Sequence, residues 1–203
     1  MRDLARLSAP LVVAVALSTL ALVPVASGEP DRSATNRTTF LDERGEAPGS
    51  ADVTRVVVSN DDAGRITVAV AIARRPTLTQ DMRLRIGLRD ARGRDSFLLV
   101  DPFTPARFAA LLYRCKSREG GLVCTPSQRA NVRFSYAKGG RFSLDAEDLG
   151  LRPSSVHPTK LRFWVATLAG VRYDPTAGYD LSAAHFDRAP STDGAYWSYA
   201  IRR

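Results

Sequence analysis

Histidine is nearly absent from this chain: two, His157 and His185, occur in 203 residues. Any nucleophile-base-acid constellation, and any histidine-rich metal centre, must therefore be built on one of them. Neither Gly-x-Ser-x-Gly nor His-Glu-x-x-His occurs, so the common serine-hydrolase and zinc-protease signatures are excluded. His157 precedes Pro158, which favours an extended loop. His185 is followed two positions later by Asp187, and this pair keeps a secreted hydrolase open as the alternative to a non-catalytic protein. Cysteine is as scarce, with Cys115 and Cys124 flanking "KSREGGLV". In an oxidising compartment such a pair, with two glycines between, predicts a disulfide across a hairpin tip. A metal site on Cys115, Cys124, His157 and His185 matches no zinc spacing.

Lysine is limited to Lys116, Lys138 and Lys160, so the net charge of +8 is carried almost entirely by arginine. Long apolar runs are lacking too, save one. "MRDLARLSAPLVVAVALSTLALVPVASGEP" places Arg2 and Arg6 before an apolar stretch from Ala9 to about Ala26, then small residues and Pro24. That order predicts a secretory signal peptide over 1–28, and the alternative is an uncleaved membrane anchor, the one route by which a membrane would be engaged. Removing it takes away Arg2, Asp3 and Arg6, a charge of +1, and leaves +7. For a basic protein that is exported, to the extracellular space or the cell envelope, the expected polyanions are acidic polysaccharides, cell-wall polymers and lipid headgroups rather than nucleic acid.

Residues 29–50, "EPDRSATNRTTFLDERGEAPGS", are polar with no sustained period and predict a flexible lead-in. Residues 51–203 predict one all-β domain. "VTRVVVSNDDAGRITVAVAIAR" sets two β-branched runs around a turn, and Ile66, Val68, Val70 and Ile72 alternate with smaller residues. Further strands are expected at "DMRLRIGLRD", "SFLLV", "FAALLYRC", "NVRFSYA", "RFSLDA", "KLRFWVATL" and "AYWSYAIR". "RFAALLYR" also fits a short helix, and "DAEDLG" one helical turn. About nine short strands separated by turn signals predict an antiparallel β-sandwich of jelly-roll or immunoglobulin-like layout, with one hairpin disulfide.

The stretches "ADVTRVVVSNDDAGRITVAVAI", "VRFSYAKGGRFSL", "RFWVAT" and "YDPTAGYDLSAAHFDRAPSTDGAYWSY" resemble bacterial secreted β-sandwich domains similar in layout to family-9 carbohydrate-binding modules and DOMON-like domains. The resemblance implies a binding module, and it leaves room for a structural Ca²⁺. Where such domains carry an Asp-x-Asp loop after the third strand, this chain reads "RDARGRDSF", keeping Asp90 and Asp95 with Arg92 and Arg94 between them.

Hard oxygens for Ca²⁺ occur in "NDDAG" (Asp61, Asp62), "DAEDLG" (Asp145, Glu147, Asp148) and "DPTAGYD" (Asp174, Asp180), none of which completes an EF-hand loop; no other cofactor is expected. Trp164 shares strand parity with Arg162, opposite to Leu161, Phe163 and Val165, so it is expected on the outer face. An outward indole beside a guanidinium suits a sugar ring and its hydroxyls. Tyr173, Tyr179, Tyr196, Trp197 and Tyr199 crowd the last quarter of the chain; either they add to the platform or they complete the core and cover Trp164. Arg83, Arg85 and Arg89 recur on one strand face. They predict a plain solvated strand face or the charged guard of an edge strand, with a basic surface for a polyanion as the other reading. The candidate ligand-binding set, for a carbohydrate or acidic polymer, is Trp164, Arg162, Arg83, Arg85 and Tyr173, with no catalytic or metal residues; besides the hydrolase on His185 and Asp187, the alternative is a purely structural protein-interaction module.

Overall fold

The computed structural model describes residues 34–47, 51–74, 77–90, 93–104, 107–119, 121–152, 158–174, 178–192 and 194–202. The side chains at 34, 35, 99–104, 107–109, 122, 173, 174, 178 and 179 are outside that description. The expected signal segment and His157 also lie outside the described residues.

The first three strands, β1 (Ala34–Leu41), β2 (Val53–Asp61) and β3 (Arg65–Ile72), lie side by side. With β8 (Arg133–Tyr136) and β9 (Gly139–Asp145) they form a five-stranded antiparallel sheet in the order β1-β2-β3-β9-β8. The second sheet contains β4 (Arg83–Arg89), β5 (Asp95–Thr104), β6 (Arg107–Arg118), β7 (Gly121–Pro126), β10 (Thr159–Ala169), β13 (His185–Ala189) and β14 (Trp197–Ile201). Its order is β13-β10-β4-β5-β6-β7, and β14 pairs with the other half of the β10 edge that β13 occupies. A two-stranded ribbon, β11 (Arg172–Asp174) and β12 (Gly178–Asp180), stands apart from both. The fold is thus the expected antiparallel sandwich, with "RFAALLYR" a strand and "DAEDLG" a single 3₁₀ turn at Ala146–Leu149.

Alternation explains which face each strand buries. Ile66, Val68, Val70 and Ile72 of β3 face Leu84, Ile86 and Leu88 of β4, Leu161, Phe163 and Val165 of β10, and Tyr199 and Ile201 of β14 in one continuous core. Each of the larger apolar side chains contributes about 1.5–3 kcal/mol by leaving water. Cys115 and Cys124 face each other in the β6–β7 register and are disulfide-bonded, as their spacing predicts.

The expected lead-in is corrected by β1. Residues 34–41 are polar because one face of this edge strand meets solvent, yet its ladder to β2 is continuous from Asn36 to Leu41. Phe40 turns inward and supplies the anchor, edge-on to Phe163 at 5.0 Å and stacked on Trp197 at 5.3 Å. The other end is held by polar groups. The Tyr199 hydroxyl lies 2.8 Å from Asn60 Oδ1 and 3.0 Å from the Asn36 carbonyl, so β14 of one sheet is tied to β1 and β2 of the other. Burial pushes the Tyr199 hydroxyl up to about 12.

Candidate functional site

The outer face of the seven-stranded sheet carries the candidate site. Trp164 on β10 is in register with Gly87 on β4, Gly87 with Phe97 on β5, and Phe97 with Tyr113 on β6. Three aromatics therefore share one row across four strands, which are spaced about 4.8 Å apart. The gap at Gly87 is filled by the indole: a Cβ at position 87 would collide with Cε2, Nε1 and Cζ2 of Trp164. Trp164 and Phe97 meet edge to face at 5.7 Å, and Trp164, Phe97 and Tyr113 are all half-buried. Phe163 and Val165, of opposite parity, are fully buried, so Trp164 is outward as its position predicts.

Guanidinium groups surround this row. Arg85, exposed, lies 5.8 Å from the Phe97 ring. Arg89 and Arg162, paired across β4 and β10, both lie over Tyr196, at 4.9 and 4.7 Å. Arg89 also forks onto Asp95, with Nε and Nη2 donating over 2.7 and 3.0 Å, and these hydrogen bonds raise its pKa further. Arg188 of β13 lies 5.4 Å from the Trp164 ring. It is fixed there by donating to the carbonyls of Pro190, Thr192 and Ala195 over 3.0, 2.7 and 2.9 Å. Arg188, tied to residues 190, 192 and 195, thus lies against Trp164 and leaves the indole partly accessible, an outcome between open platform and full cover. Trp197 packs on the core, and Tyr199 and Ile201 are buried, so this part of the aromatic cluster is structural.

Two expectations about the arginine stripe change. Arg83 is 7% exposed, its Nη1 donating to the Gln80 and Met82 carbonyls, so it closes the turn before β4 and does not join Arg85 on the open face. Because β4 lies between β10 and β5, the stripe guards no sheet edge. Arg162 does share the face of Arg85, whereas Arg133 and Arg141 are exposed on the outer face of the five-stranded sheet. Tyr173 pairs with Tyr179 in the β11–β12 ribbon, and its side chain lies outside the described residues.

Several of the carboxylates singled out for metal or acid-base work are taken up by backbone N–H groups or by arginine. Asp61 Oδ1 accepts the Arg65 N–H at 2.8 Å, Asp148 Oδ2 the Asn131 N–H at 3.2 Å, and Asp180 Oδ1 the Ser182 N–H at 2.9 Å. Asp145 pairs with Arg65 at 3.0 Å. In "RDARGRDSF", Asp90 takes the Arg94 N–H and Nε, at 2.8 and 2.6 Å, while Asp95 takes Arg89, so arginine occupies both carboxylates of that loop. A cleft of about 400 Å³ beside it is lined by Leu88, Asp90, Arg94, Arg114 and Leu149. His185 is exposed, and the Asp187 expected to orient it is buried and accepts the Val53 N–H at 2.6 Å.

A second cluster joins residues far apart in the chain. Asp42 and Glu46, from the loop after β1, meet Asp187 of β13, with one carboxylate oxygen from each all lying within 4.8 Å of one another. Asp52, just before β2, is buried against the same loop and accepts the Gly45 N–H at 3.1 Å. Burial, then Glu46, Asp187 and Asp52, push the Asp42 carboxyl up to about 7. Glu46 and Asp187 are raised as well, burial being the largest cause in each.

Among the described residues, no helix is long and apolar enough to cross a membrane. Comparison with protein-family models, curated proteins and solved structures gives no match.

Proposed function

We propose that this protein is a secreted or envelope-associated, non-catalytic binding domain whose seven-stranded outer face takes an acidic polysaccharide. The observation that carries this reading is the cross-strand row of Trp164, Phe97 and Tyr113 with Arg85 and Arg162 exposed on the same face. Half-buried aromatic rings offer flat apolar area to sugar C–H groups at little cost in ordering entropy. Guanidinium forks match carboxylate or sulfate oxygens, and Tyr196 holds Arg162 and Arg89 over its two ring contacts. The net charge of +8 favours encounter with a polyanion, and the Cys115–Cys124 disulfide suits an oxidising compartment.

Retention of the purified protein on a panel of immobilised neutral and uronate-bearing polysaccharides, at low and moderate salt, tests this. Retention confined to the acidic members, and reduced in Trp164→Ala and Arg85→Ala variants of unchanged melting behaviour, is expected. Equal retention of wild type and both variants would remove this face from the function.

A further inference from the structure

The geometry points to a Ca²⁺ site formed by Asp42, Glu46 and Asp187, at the sandwich edge where β1, β2 and β13 come together. This inference is independent of the polysaccharide surface, which lies on the outer face of one sheet.

Three carboxylates alone would not establish a site, since acidic residues often gather without an ion. Asp42 Oδ2 and Asp52 Oδ1 are buried oxygens with no hydrogen-bond partner among the described residues. Asp52 is 4% exposed, and Asp187 is equally buried at 4%. A buried acceptor without a donor is destabilising, and a buried carboxylate far more so. Asp52 is also part of the cluster electrically, because its charge acts on Asp42, Glu46 and Asp187 alike. Among the described residues, the charges that act on Asp42, Glu46 and Asp187 are all those of other carboxylates, Glu43 included, and the Val53 and Arg188 N–H groups on Asp187 and the Ser191 side chain on Glu46 bring no positive charge, which a cation would supply.

The donor chemistry selects the class of ion, and the spacing has room for Ca²⁺. Oxygen ligands on opposite sides of Ca²⁺, each at about 2.4 Å, stand about 4.8 Å apart. The Asp42, Glu46 and Asp187 oxygens fall within that 4.8 Å limit of one another. All are hard anionic donors, with neither histidine nor cysteine among them, which disfavours zinc and copper. Two come from the loop that follows β1 of the five-stranded sheet and one from β13 of the seven-stranded sheet, so the ion would clamp the sheets together. None of the loops whose local sequence offers hard oxygens takes part.

The test uses the full folded chain, stripped with EDTA and titrated with CaCl₂ or MgCl₂ in a calorimeter, with thermal melting followed in parallel. One Ca²⁺ per chain, and a melting temperature raised by Ca²⁺ and returned by EDTA, is expected, with Mg²⁺ much weaker. Glu46→Gln, at an exposed position, is expected to weaken Ca²⁺ by about tenfold through loss of ligand charge. Asp42→Asn is expected to melt higher than wild type in EDTA and to lose the Ca²⁺ response. No heat and no melting shift at millimolar Ca²⁺ would overturn the site, as would a Ca²⁺ response unchanged in Glu46→Gln. An equal response to Mg²⁺ would overturn the assignment of the ion.

Discussion

The Trp164 indole occupies the space that a side chain at position 87 would fill, so Gly87 on β4 sets the position of the outward tryptophan on β10. Two neighbouring strands thereby share one residue volume on their outer face. The aromatic row depends on that exchange.

Gly87→Ala is expected to displace the indole from the row and, through overpacking, to cost about 1–3 kcal/mol. A shift in tryptophan fluorescence together with a lowered denaturation midpoint checks it. An unchanged emission spectrum would mean that the ring is not seated on the glycine. Polysaccharide retention is expected to fall with the spectral change.

Tyr199 provides a pH dependence. Its hydroxyl titrates near 10 in an unfolded chain, whereas burial in the fold raises it to about 12. Above pH 10 the unfolded state therefore holds fewer protons than the folded one, and stability falls as pH rises through this window. The expected loss approaches about 1.4 kcal/mol per pH unit. Denaturant melts between pH 9 and pH 12, roughly the interval spanning both values, are expected to show this extra slope in wild type and not in Tyr199→Phe. At neutral pH that variant loses about 1 kcal/mol with the hydroxyl's hydrogen bonds.

Removing the disulfide with Cys115→Ser and Cys124→Ser together is expected to cost about 2–3 kcal/mol, since it closes a short loop. Urea unfolding of the reduced and oxidised wild type provides the same comparison without mutation. The bond staples β6 to the edge strand β7, so the loss is expected to appear first as faster amide exchange in those two strands.

The sandwich was legible because alternation is local: Ile66, Val68, Val70 and Ile72 announce an inward face within one strand. The outward direction of Trp164 followed from the same rule. What escaped was set by distant neighbours. β1 reads as a polar linker because its single large inward group, Phe40, gains meaning only against Phe163 and Trp197. Arg83 has the parity of Arg85, yet its place at the strand start lets it turn back onto Gln80 and Met82. Phe97 and Tyr113 join the row only once the strand register is known, although the parity of Phe97 against Leu98 in "SFLLV" was a usable signal. The acidic cluster draws on residues 42–46, 52 and 187, and no spacing rule links segments so far apart.

Affinity for a uronate polymer as ionic strength is raised from about 50 to about 300 mM is the most direct test of the proposed surface, because exposed charge pairs are screened over that range. Binding is expected to weaken steadily with salt, and to be about tenfold weaker with a shallower salt slope in the Arg85→Ala/Arg162→Ala double variant. Salt-independent affinity, or a double variant indistinguishable from wild type, would contradict the proposed surface.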